Sequence, residues 1–68
     1  MSQSNYVHLE DCRIVHVAEF ATLIEYDEEQ YWIPHSQMSD HENYDKGDKN
    51  VTVSITEWIA KEKGIDVS

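Results

Sequence analysis

Alternation of apolar and polar residues runs through most of this chain and predicts extended structure. Thr22, Ile24 and Tyr26 fall on one side of an extended segment, with Ala21, Leu23 and Glu25 on the other. β-Branched and aromatic residues suit a pleated, half-buried surface. Asp27-Glu28-Glu29 interrupts the run with charge, and Tyr31-Trp32-Ile33 resumes it. A hairpin of strands 21–26 and 30–33 around an acidic turn follows. No Asn-Gly or Asp-Gly fixes the turn type. Pro34 has no N–H and biases Ile33 toward extended backbone, so the strand should stop there. His35-Ser36-Gln37-Met38 then reads as one helical turn.

Upstream, Tyr6-Val7-His8-Leu9 predicts a strand at 5–9 and Glu10-Asp11 a turn. The next strand, 12–18, carries apolar groups on both sides: Arg13, Val15 and Val17 on one, Cys12, Ile14 and His16 on the other. Ala18-Glu19-Phe20 should bend or bulge into the hairpin. Downstream, Val51, Val53 and Ile55 alternate with Thr52, Ser54 and Thr56, the cleanest period-two signal in the chain. Thr56 can cap a short helix at 57–63. Glu57 lies near the positive end of its dipole, and Lys61 and Lys63 near the negative end. Gly64 suits the left-handed position after it, with Ile65 packing back.

These elements predict a mainly β fold with one short C-terminal helix, a small SH3-like or OB-like five-stranded barrel. The chain forms one domain, 1–68, with residues 1–4 frayed and 39–50 a long acidic loop. Trp32 is expected in the core, against Val51-Val53-Ile55 or beneath Trp58, because a short chain has few large side chains to fill one.

Composition narrows the function. Fourteen acids against five bases leave 68 residues with a net charge of −9. Such a surface repels nucleic-acid phosphates and anionic membrane, and favours a basic partner. No apolar run approaches the roughly 20 residues that span a bilayer. Met-Ser-Gln-Ser-Asn lacks the charge and apolar core of a signal peptide. A single cysteine excludes an internal disulfide framework. A cytoplasmic protein is expected.

Candidate chemistry is sparse. His8, Cys12 and His16 recur every four residues and could join His35 or His41 at a metal, but Glu10-Asp11 should separate the first two, and no short ligand clip is present. Nothing near Cys12 marks an activated thiol. Asp40 to Val51 resembles a calcium loop only loosely, with Gly47 at the eighth position and no acid at the twelfth. Asn50-Val51-Thr52 is a glycosylation sequon without a secretory context. Tyr6, Tyr26, Tyr31 and Trp32 could stack bases as OB folds do, yet five dispersed basic residues supply no groove. No catalytic residue, metal or cofactor is therefore expected.

Two motifs, Trp32-Ile33-Pro34-His35-Ser36-Gln37-Met38 and Ile55-Thr56-Glu57-Trp58-Ile59-Ala60-Lys61-Glu62-Lys63-Gly64-Ile65, resemble small proteins of bacteriophages and prophages. Those carry a hairpin ending in Trp-Ile-Pro-Lys-Ser-Gln and a Glu-Trp-x-Ala-x-x-Lys-Gly helix. The resemblance covers about residues 12–65, and His35 stands where the family has lysine. It implies a phage setting inside a bacterial host and no catalytic residues. By analogy it suggests an inhibitor of a host nucleic-acid-binding protein, of the DNA-mimic or anti-CRISPR kind.

The expected function is thus a non-catalytic acidic protein-binding module. Its partner-binding residues would be Glu25, Asp27, Glu28 and Glu29 on the hairpin, and Asp40, Glu42, Tyr44, Asp45 and Asp48 on the loop. The alternatives are an accessory single-stranded nucleic-acid-binding barrel in phage replication and a metal-binding or thiol-dependent small protein.

Overall fold

The computed structural model describes residues 5–65; the frayed start expected at 1–4 lies outside them. The chain is mainly β. Among the described residues, four strands, β1 (Tyr6–Val17), β2 (Ala21–Tyr26), β3 (Glu29–Pro34) and β4 (Val51–Thr56), precede one α-helix, α1 (Glu57–Lys63). The sheet is antiparallel in the order β3-β2-β1-β4.

The strands expected at 5–9 and 12–18 are one strand. Glu10-Asp11 does not reverse the chain. Leu9 pairs with Val53 and Cys12 with Val51, so β1 carries one extra residue across that interval. Asp11 takes up the excess at φ 58°. An aspartate tolerates this left-handed conformation better than most residues, and the result is a bulge that bends the strand. A second irregularity between Ile14 and His16 shifts the register with β2. The bent strand therefore serves two partners, β4 along its first half and β2 along its second.

Between β2 and β3 the loop is two residues long. Asp27 and Glu28 both have positive φ, 54° and 68°, the signature of a type I′ hairpin turn. Glu29 already belongs to β3 and pairs with Tyr26. After Pro34, His35–Gln37 makes the expected single turn, of the 3-10 kind. Met38 then bridges to Ile55, and the Ser39 N–H donates to the Ser54 carbonyl at 2.9 Å. The chain thus returns from β3 to the far side of β4.

One face of the sheet builds the core. Leu9, Cys12, Ile14, Ile24, Ile33, Met38, Val53 and Ile55 are buried there with Ile59, Ala60 and Ile65. Helix α1 is held at both ends. The Ile59 N–H donates to Thr56 Oγ1 at 3.2 Å, and that hydroxyl donates to Gln37 Oε1 at 2.6 Å. Gly64 ends the helix at φ 69° while the Ile65 N–H returns to the Ala60 carbonyl, a Schellman closure with Ile65 folded onto the core. Thr56→Ala removes both hydroxyl bonds and should cost about 1–2 kcal/mol, read as a lower thermal midpoint with unchanged strand content.

Trp32 is not in the core. It is 44% exposed on the outer face of β3. A strand can turn only one face inward, and Tyr31 and Ile33 lie on that face: Ile33 is fully buried, and Tyr31 packs against the core. Their neighbour Trp32 must point out.

Candidate functional site

The acidic residues fall into three settings. The hairpin turn presents Asp27 and Glu28, both exposed, with exposed Glu29 beside them. Glu25, two residues earlier, is half-buried and its carboxylate pairs with the Arg13 guanidinium across the strand. Its charge is therefore already met. Counting outward from the Arg13–Glu25 pair, Asp11 on β1 and Asp27 on the turn both lie two residues on. The bulge at Glu10-Asp11, midway along β1, and the turn at the tip of the hairpin thus lie at the same level of the sheet. The partner residues expected from sequence omit Glu10 and Asp11, because a polar pair between two apolar runs reads as a turn, whereas the register makes it a bulge.

The long loop is anchored in two places. Tyr44 packs half-buried against the core and its hydroxyl donates to the Thr52 carbonyl at 2.7 Å. Burial pushes its pKa up, with the nearby Asp40 charge and Cys12 adding to the effect. Further on, Ile14 exchanges two backbone bonds with the loop: its N–H donates to the Asp48 carbonyl and its carbonyl accepts from Gly47, each at 2.8 Å. Asp48 Oδ2 also accepts from the Asp45 N–H at 2.9 Å. The loop segment 45–48 and the hairpin therefore flank the same stretch of β1 from opposite sides. Lys46 and Lys49 alternate with Asp45 and Asp48, so this segment is close to neutral. Asp40 and Glu42 sit apart, in and before the turn His41–Asn43 beside β4.

The outer face of the hairpin holds a second feature. His16 pairs with Leu23 and Leu23 with Trp32 across three adjacent strands. The His16 and Trp32 rings meet edge-to-face, 6.0 Å apart, over the half-buried Leu23. Phe20, 77% exposed, follows at the end of this hairpin near Pro34. Trp58 is also exposed, on α1. The parity of Trp32 against Tyr31 and Ile33 was the signal that could have located this face.

The remaining candidates have partners within the fold. His35 shares a hydrogen bond of 2.8 Å between Nε2 and the buried Thr22 hydroxyl, and its ring stacks on His41 with centroids 4.0 Å apart. His8 Nδ1 is 2.7 Å from Ser54 Oγ on the outer face. Cys12 is fully buried, and its thiol donates to the Leu9 carbonyl at 3.2 Å. Burial, with the Asp11 charge adding, raises its pKa to about 11 against a partly offsetting backbone bond from Val53. Among the described residues, no three His, Cys, Asp or Glu side chains are grouped to hold a metal. No described helix is long and apolar enough to cross a membrane.

No protein-family model matches the chain, no curated protein matches it, and no solved structure matches it.

Proposed function

We propose that this chain is a non-catalytic acidic module that binds a protein through a basic surface, and that a bacterial host's nucleic-acid-binding protein is the class of partner it meets in a phage setting. The observation that supports the reading most is how unevenly the charge is spread. Of the five bases, Arg13 is held by Glu25, Lys46 and Lys49 offset the loop acids, and Lys61 and Lys63 lie on the helix. Glu10, Asp11, Asp27, Glu28 and Glu29 lie at the level of the hairpin tip, beside the middle of β1. Clustered like charge speeds encounter with an opposite surface and makes the rate fall with salt.

The exposed ring of Trp32 favours a second reading, the accessory single-stranded nucleic-acid-binding barrel, because bases stack on such rings. The cation nearest in register on that face, Arg13, is engaged by Glu25. Binding to oligothymidylate that strengthens at low salt would support this alternative. The finer architecture, a small SH3-like or OB-like barrel, is supported by the bend at Asp11 and the return of Met38 to β4.

The turn offers a clean test. Asp27→Asn with Glu28→Gly deletes two carboxylates while installing the pair that a type I′ turn prefers. Stability should rise by about 1 kcal/mol, since Glu28 sits where L side chains are strained. Association with the captured host partner should slow about ten-fold at low salt. Unchanged association, flat from low to high salt, would show that the acids serve solubility alone.

A further inference from the structure

Strand β3 is the outer strand of the sheet, and its outward edge carries no partner strand among the described residues. The register says which groups it offers. In a two-residue hairpin the residues flanking the turn exchange both backbone bonds, so Tyr26 and Glu29 form a bonded pair. Bonded pairs recur at every second position: Ile24 with Tyr31 and Thr22 with Ile33. The His35 N–H donating to the Phe20 carbonyl continues the same parity, and the Ala18 N–H donating to the Ala21 carbonyl shows the intervening residues of β2 turned to β1. Gln30 and Trp32 therefore direct their N–H and C=O groups away from the sheet, and Pro34 directs its C=O.

Such an edge invites another strand. Pro34 limits it at one end. Glu28 and Glu29 guard the other, repelling a second copy of a chain that carries −9. The same acids attract a strand of opposite charge. Trp32 stands exposed on the outer face at the edge, where a side chain of an added strand would lie about 5 Å away.

Resting on the acidic protein-binding reading, we propose that the edge of β3 takes up an extended basic segment of the partner as an added strand. Gln30 and Trp32 supply the backbone bonds. The Trp32 ring receives an apolar side chain or a guanidinium, and Asp27, Glu28 and Glu29 receive lysine or arginine at the end of the segment. Main-chain bonds give the affinity in this mode, and side chains at alternate positions give the selectivity.

The test uses the full chain with a synthetic peptide of alternating lysine and valine, about eight residues long, enough to cover β3 at roughly 3.3 Å per residue. A twin peptide, N-methylated at two consecutive central residues, keeps its charge but blocks both backbone edges. Hydrogen exchange at the Gln30 and Trp32 amides should slow by about ten-fold or more with the first peptide and stay unchanged with the twin. Gln30→Pro should abolish that protection, since the N–H it removes is not used within the sheet. If this variant fails to fold, the comparison of the two peptides on the native chain still decides. Equal, salt-sensitive binding of both peptides would overturn strand addition and leave the acidic reading standing. No binding of either at low salt would overturn both. A dimer of the chain that Gln30→Pro dissociates would give the edge to a second copy and overturn the proposal.

Discussion

Ile24→Ala is expected to unfold much of the protein at moderate temperature, whereas Trp32→Ala should leave it folded. Ile24 is fully buried and sits mid-sheet, paired with Ile14 on one side and Tyr31 on the other. Truncating a buried isoleucine costs about 2–5 kcal/mol through lost transfer energy and the cavity left behind. A domain of this size has about 3–10 kcal/mol in total. The thermal midpoint should fall by 10 °C or more, an order-of-magnitude figure for small domains. Trp32 is larger but lies on the outer face, where its loss bares Leu23 and frees His16. We expect a cost of at most about 1 kcal/mol. Matched melts of the two variants check the contrast. A Trp32→Ala midpoint as low as that of Ile24→Ala would return the indole to a structural role and remove the apolar anchor from the β3 edge.

Trp32 also shows how far local pattern reaches. The hairpin, β4, the 3-10 turn after Pro34 and the capped helix were legible because each is set by residues close in sequence: alternation, a proline, Thr56 and Gly64. The face that a strand buries is different. It depends on which of two parities contributes more to a shared core, and size alone misleads. Trp32 stands alone between Gln30 and Pro34 on its side of β3, while Tyr31 and Ile33 reinforce each other on the opposite side. Counting by face rather than by residue would have placed it correctly.

The joining of β1 was hidden for another reason. Glu10-Asp11 is polar and exposed, as a turn would be, but whether such a pair reverses the strand or bulges it is decided by the partner across the sheet. Here Val51–Val53 runs on beside it. The loop acids likewise looked like one group with the hairpin acids. Lys46, Lys49 and the Ile14 anchor make segment 45–49 a neutral brace along β1, while Asp40 and Glu42 sit by β4. Only the turn acids survive as a free acidic group, and they gain Glu10 and Asp11 through the bend. What remains at the hairpin tip is charge beside a strand edge that has no partner strand among the described residues, a combination that no single stretch of the chain displays.

Alkaline pH should expose the environment of Cys12. Its thiol is raised from 9.0 to about 11 in the folded protein, so the neutral form is favoured there. Below pH 9 the thiol keeps its proton whether the chain is folded or not, and the stability is at its full value. Between pH 9 and about 11 the unfolded chain loses the proton while the folded chain retains it. The unfolded state then binds fewer protons, and stability falls as pH rises. A shift of this size corresponds to roughly 2–3 kcal/mol once both forms have ionised. Urea midpoints taken from pH 7 to 11 should decline in wild type and lose that component in Cys12→Ala, which starts lower at pH 7 from its small cavity, so that the two converge as pH rises. Tyr44 adds its own decline, because its pKa is also raised, from 10.0. Tyr44→Phe separates the two, since it leaves the fall that starts at pH 9 in place. The buried, neutral thiol should also resist iodoacetamide at pH 8 in the native protein and react once the chain is unfolded. Rapid native alkylation, with stability flat from pH 9 to 11, would mean that Cys12 is an accessible thiolate and would reopen thiol chemistry at the β1 bulge.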